Sequence, residues 1–242
     1  MRSLIVPALL VALSAHGAPV RFVACIGDSI TEGVPSPNTP WCQIIGNRMA
    51  GQKVAIVNLG AGGLRCDEVE SGAVPLCPSC PSFASFIANR SYTRIILMCG
   101  ANDLQQGRTS AQIIGTTGTP GPLRRMVSAA RAAGLPVTVM TVTPLGGNAW
   151  YTSGVQTEHM SLNTAIRALA TSTAPAVTVV EAYNVLATPA TTTVASAIAN
   201  YPGDGLTLSA AWQASPADNL HIGAAGNARL ADGVDATTGA FP

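Results

Sequence analysis

The sequence predicts an α/β protein of three layers, in which a five-stranded parallel sheet carries helices on both faces. Three observations predict it. Five short runs rich in apolar and β-branched residues recur along the chain. Helix-like segments separate them, the alternation expected of a parallel sheet. The runs are nearly free of polar interruptions, which fits strands buried on both sides.

The elements follow in order. Val20 to Ile26 reads as the first strand. Thr39-Pro40 supplies a cap and a proline at the first helical position for a helix from Trp41 to Met49. Lys53 to Asn58 is the second strand, and Arg94 to Cys99 the third, apolar through Ile95-Ile96-Leu97-Met98. A helix from Pro122 to Ala133 is closed by Gly134, since glycine accepts the left-handed turn that ends helices. Pro136 to Val142 is the fourth strand. Gln156 to Thr171 is a helix with Met160, Leu162, Ile166 and Leu169 at apolar spacing. Ala176 to Glu181 is the fifth strand, and Ile222 to Val234 a final helix. Residues 72 to 81, rich in proline and cysteine, read as a loop. Thr188 to Ala199 reads either as a helix or as an irregular lid.

A chain of 242 residues suits one domain with a sizeable core. It is 48% hydrophobic and only 10% charged, which excludes a disordered or polar-tail protein. The net charge is +1 and Lys53 is the only lysine, so no basic stripe exists to bind nucleic acid. The start reads as an export signal. Arg2 precedes an apolar run from Leu4 to Leu13, and Ala15-His16-Gly17 offers a small-x-small cleavage site. That run is too short to span a bilayer, which takes about 20 residues. Residues 1–17 are therefore expected to be a signal peptide and 18–242 a single domain, secreted or periplasmic, monomeric and without a membrane span.

Export and an even cysteine count suggest disulfides among Cys25, Cys42, Cys66, Cys77, Cys80 and Cys99. The expected bridge is local, joining Cys66 to Cys77 or Cys80. Cys25 and Cys99 lie in apolar runs and are expected as buried thiols. Cys77-Pro78-Ser79-Cys80 stands alone, with no second pair or spaced histidines to complete a zinc site.

In such a sheet, ligands bind beyond the carboxyl ends of the strands. After the first strand comes Gly27-Asp28-Ser29-Ile30, and after the second Asn58-Leu59-Gly60-Ala61-Gly62-Gly63. After the third comes Gly100-Ala101-Asn102-Asp103, and near the end Asp218-Asn219-Leu220-His221. Singly these are a helix cap, turns and a polar surface segment. In this order they resemble the four sequence blocks of the GDSL/SGNH hydrolases, with isoleucine where the first block usually has leucine. The resemblance implies the flavodoxin-like SGNH hydrolase fold, with Ser29 as nucleophile, Asp218 and His221 as its partners, and Ser29, Gly60 and Asn102 as oxyanion donors.

The residue chemistry points the same way. A serine hydroxyl needs a base to take its proton. Of the three histidines, His16 falls in the signal and His159 has only the adjacent Glu158, whereas His221 follows Asp218 by three residues. A short turn can bring that carboxylate to the ring. The Gly60 and Ser29 backbone N–H groups and the Asn102 amide can face an oxyanion, while Asp28, Asn58 and Asp103 are read as structural. No serine has the flanking glycines of a G-x-S-x-G elbow, so the α/β-hydrolase alternative falls away.

These readings predict a serine esterase acting on small-molecule or polysaccharide-linked esters, needing no cofactor and no metal. Short- to medium-chain acyl esters are the first substrate class, and O-acetyl groups on carbohydrate the second. A catalytically dead binding module is disfavoured because Ser29, Asp218 and His221 are all present. Trp150, in the loop after the fourth strand, and Trp212 serve either as pocket walls or as core packing.

Overall fold

A computed structural model describes residues 21–35, 39–72, 82–88, 91–187, 191–199, 208–215 and 218–238. Five parallel strands form one sheet: β1 (Arg21–Gly27), β2 (Val54–Gly60), β3 (Arg94–Met98), β4 (Val137–Met140) and β5 (Val177–Val180). Their spatial order is β2-β1-β3-β4-β5. The chain leaves β1 for one side of the sheet and returns to β3 on the other, so the sheet's switch point lies at the carboxyl end of β1.

Successive side chains on a strand face opposite sides, and that alternation divides the interior. Ala24, Ile26, Ile95, Leu97, Val137 and Val139 enter one apolar layer. Val23, Cys25, Ile96, Met98, Met140 and Val180 enter the other. The first layer is covered by α3 (Cys66–Ser71), α4 (Phe83–Ala88), α5 (Ala101–Gln105), α6 (Ser110–Ile113), α7 (Pro122–Ala132) and α8 (Ser153–Arg167). The second lies beneath α2 (Trp41–Arg48), α9 (Ala182–Ala187) and α11 (Ala224–Thr238). Short α1 (Ser29–Glu32) follows β1, and α10 (Val194–Ala199) packs against α9 and α11. The three-layer expectation holds.

Helix ends differ from expectation where caps override periodicity. α8 begins at Ser153 because the Thr152 hydroxyl accepts the Val155 N–H. It stops at Arg167 because Thr171 pairs with Val177 in a short bridge to β5. α7 starts at Pro122 as expected, and Gly134 has the left-handed φ of 80°. Short helices α3, α4, α5, α6 and α9 carry too few turns to show a period in the sequence. Of the ambiguous stretch, 191–199 is a turn and a helix, and 188–190 lie outside the described residues. So do the expected signal peptide and most of the loop at 72 to 81.

The disulfides overturn the sequence expectation. Cys25 pairs with Cys42, joining β1 to α2, and Cys66 pairs with Cys99, joining the start of α3 to the end of β3. Cys25 and Cys99 are therefore not buried thiols, and Cys66 does not take a neighbour in sequence. The reason is topological. β2 and β3 flank β1, with Gly60 and Met98 both level with Gly27, so their following loops meet above one strand end. Cys77 and Cys80 lie outside the described residues.

Candidate active site

Ser29 opens α1 immediately after β1. The Asp28 carboxylate caps that helix, accepting the Ile30 N–H at 3.0 Å. Asp28 is sealed from solvent, and burial pushes its carboxyl up to about 7 against the pull of the Ile30 bond. The structural role expected of Asp28 is the role it has.

His221 arrives from the far end of the chain. Its Nε2 lies 3.1 Å from Ser29 Oγ, and its Nδ1 lies 3.0 Å from Asp218 Oδ2. A carboxylate only accepts, so Nδ1 carries the proton and Nε2 is left to accept from the serine hydroxyl. Asp218 Oδ1 also accepts the backbone N–H groups of His221 at 2.8 Å and Leu220 at 3.0 Å. Burial works to raise the Asp218 carboxyl, but these bonds and the imidazole outweigh it and hold the group below its ordinary range. The segment is pinned to the chain before it, where Ala214 N–H donates to His221 O and Gly223 N–H to Trp212 O. Three residues spread over most of the chain thus form one hydrogen-bonded line that can move a proton from serine to imidazole.

Asn102 lies at the start of α5, largely buried, and its Nδ2 donates to Leu64 O at 3.0 Å. One amide proton is used there and the second has no acceptor among the described residues. Asp103 accepts the Cys66 N–H at 2.9 Å, tying the same two loops, and burial raises its carboxyl to about 6. Asn58 Nδ2 donates to Thr31 O, fastening β2 to α1. Both are structural, as expected.

Gly60 is placed otherwise than expected. Its N–H, anticipated as an oxyanion donor, donates to Asn58 Oδ1 at 3.0 Å. Glycine is needed there because a Cβ would stand 2.2 Å from the Glu32 backbone nitrogen. Gly62 donates to Glu32 Oε2 at 2.7 Å. Gly63 has a φ of 80°, and its N–H finds no acceptor among the described residues. Sequence reasoning named the Gly60–Gly63 block but not Gly63 itself. The signal, a glycine held in a left-handed turn, shows only in the backbone.

The two tryptophans divide. Trp212 is buried in the core beneath α11 with the Arg229 guanidinium 5.3 Å from its ring centre, so it is packing and not a wall. Trp150 is half-buried, edge-on to Tyr151. His159 is fully buried with Nδ1 2.8 Å from Tyr151 Oη and Nε2 3.2 Å from Val142 O. Burial lowers it to about 4, so it is neutral and takes no part in a proton line. No group of metal-ligating side chains gathers among the described residues, and no described helix is long and apolar enough to cross a membrane.

A family model of GDSL-like lipases and acylhydrolases matches residues 25–229. The chain belongs to the GDSL-like lipase/acylhydrolase family. This acylhydrolase is accordingly an enzyme that cleaves ester bonds. Solved structures share its fold. A lipolytic G-D-S-L family protein from Veillonella parvula is 19% identical, covers 88% of this chain and 96% of its own, and superposes with a TM-score of 0.62. A GDSL-like lipase from Bacteroides thetaiotaomicron is 17% identical, with coverage of 93% and 91% and a TM-score of 0.62. A catalytic mutant of an acetylxylan esterase from Geobacillus stearothermophilus is 16% identical, with coverage of 90% and 94% and a TM-score of 0.61. No curated protein matches the acylhydrolase by sequence.

Proposed function

We propose that this acylhydrolase is an exported serine esterase whose nucleophile is Ser29, with His221 as base and Asp218 as its orienting carboxylate. The 3.1 Å contact between His221 Nε2 and Ser29 Oγ carries the reading. Ser29 Oγ attacks the ester carbonyl as His221 takes its proton. The tetrahedral intermediate expels the alcohol, which His221 protonates, leaving an acyl group on Ser29. Water, deprotonated by His221, then releases the acid and restores the serine. The oxyanion faces the Ser29 N–H at the start of α1, the second Asn102 amide proton and the Gly63 N–H. Such donors are each worth about 100- to 1,000-fold in rate.

Short- to medium-chain acyl esters are the first substrate class, with the His221 side chain keeping 23% exposure beside Ser29. Residues 1–17 read as the export signal, and two disulfides suit an oxidising compartment. A second reading, removal of acetyl groups from carbohydrate, is favoured by Glu32. Its exposed carboxylate borders Gly62, where a Cβ would stand 3.1 Å from Glu32 Oε2 and 3.8 Å from Ser29 Cβ. A carboxylate on that rim can accept from the hydroxyls of a sugar.

Turnover of 4-nitrophenyl acetate by wild type and Ser29→Ala tests the chemistry. Loss of about 1,000-fold or more in kcat is expected, and equal rates refute the nucleophile. An acyl-length series set beside acetylated xylan separates the substrates, since preference for the polymer selects the second reading.

A further inference from the structure

We infer that Asn219, between Asp218 and His221 in sequence, is a positioning residue that locks the acid–base turn onto the loop after β4. The inference rests on the reading of His221 as the base. Asn219 Nδ2 donates to Gly147 O at 3.2 Å, and Asn219 Oδ1 accepts from Gln213 Nε2 at 3.1 Å. The backbone oxygen of Asn219 accepts from Asn148 Nδ2 at 3.2 Å. The side-chain amides of Gln213 and Asn148 and the carbonyl of Gly147 thus converge on one residue of the turn.

The contact is close as well as polar. A Cβ on Gly147 would stand 2.8 Å from the Asn219 amide carbon, and Gly147 has a φ of 90°. Only glycine lets the two segments approach so closely without strain.

The loop is a firm support because both its ends are anchored in the core. At its start, Val142 N–H donates to Asn163 Oδ1 at 2.7 Å, and Val142 O accepts from Asn163 Nδ2 at 3.0 Å. At its end, Tyr151 Oη meets Nδ1 of fully buried His159, whose Nε2 meets Val142 O. Inside, Asn148 Nδ2 donates to Leu145 O at 2.7 Å. On the other side of the turn, Gln213 Nε2 also donates to Leu208 O. Asn219 is therefore clamped between two fixed segments, and its neighbours Asp218 and His221 inherit that placement. Proton transfer tolerates little misplacement, and about 1 Å can cost roughly 100-fold.

A kinetic cycle tests the role. Asn219→Ala and Asn219→Asp, which keeps the shape and loses the donor to Gly147, are assayed on 4-nitrophenyl acetate with circular dichroism and melting as controls on folding. A fall of about tenfold in kcat with KM within about twofold is expected for both. In a His221→Ala background, Asn219→Ala should change the residual rate by less than about twofold, because there is no base left to position. An unchanged kcat in the single variants overturns the inference, as does an equal loss with and without His221. Should Asn219→Ala fail to fold, Asn219→Asp and Gln213→Ala carry the same cycle. If His221→Ala alone leaves the rate intact, the base assignment itself fails, an outcome distinct from failure of the clamp.

Discussion

Removing the Cys66–Cys99 bridge measures how far the loops around Ser29 are held covalently. The bridge closes a loop of 33 residues, whereas Cys25–Cys42 closes one of 17. Chain entropy assigns about 3.7 kcal/mol to the longer loop and about 3.1 kcal/mol to the shorter. The two loops do not overlap in sequence, so their contributions should add. Urea denaturation of C66A/C99A, C25A/C42A and the quadruple variant reads those values, with the first losing slightly more than the second. Kinetics separates them further. Leu64, whose carbonyl holds Asn102, lies two residues before Cys66, and the Cys66 N–H itself donates to Asp103. Opening this bridge therefore lets the Gly63 and Asn102 loops drift apart. kcat for 4-nitrophenyl acetate should fall about tenfold in C66A/C99A and less than about threefold in C25A/C42A, each measured on folded protein. Equal losses of kcat, or a smaller destabilisation of C66A/C99A, would refute the reasoning.

Further expectations concern single residues. Asn102→Ala should lower kcat about 100-fold or more with little change in KM, while loss of the bond to Leu64 costs about 1 kcal/mol in urea melts; a change confined to KM contradicts its oxyanion role. The pH dependence of stability should carry two opposed contributions. Folded His159, held down to about 4, stays neutral where the unfolded chain takes a proton, so stability is full above about pH 6.5 and is lost as pH falls toward 4. Asp28, raised to about 7, keeps a proton that the unfolded chain has released, so its contribution is full in acid and is lost as pH rises through 7. The side-chain amide introduced by Asp28→Asn would still cap Ile30, so that variant should gain stability over wild type progressively between about pH 4 and 7. His159→Gln should melt with a shallower acid limb than wild type, and parallel melting curves from pH 7 to 5 would show the assignment to be wrong.

Much of this was legible along the chain because it is local. Continuous apolar runs such as Ile95-Ile96-Leu97-Met98 announce strands buried on both faces. Ser29 and Asn102 each follow an expected strand, Asp218 and His221 directly precede the expected last helix, and the shortage of other histidines singles out His221. What escaped depends on partners distant in sequence. Trp212 read equally as wall or core until α11 and Arg229 were seen around it. Gly60, expected as a donor to the oxyanion, gives its N–H to Asn58, and the α1 backbone that excludes a Cβ there lies 28 residues earlier in the chain.

The sequence by itself determined the layered α/β fold and the residue types that follow its strands, since periodicity and residue type are written locally. Only the tertiary structure decided the pairing of Cys66 with Cys99, the engagement of Gly60 and the clamping of Asn219. The disulfide turns on strand order, since β1 sits between β2 and β3 and their loops converge above its end, whereas the clamp turns on the loop after β4 meeting the turn at Asn219, and linear spacing encodes neither neighbourhood.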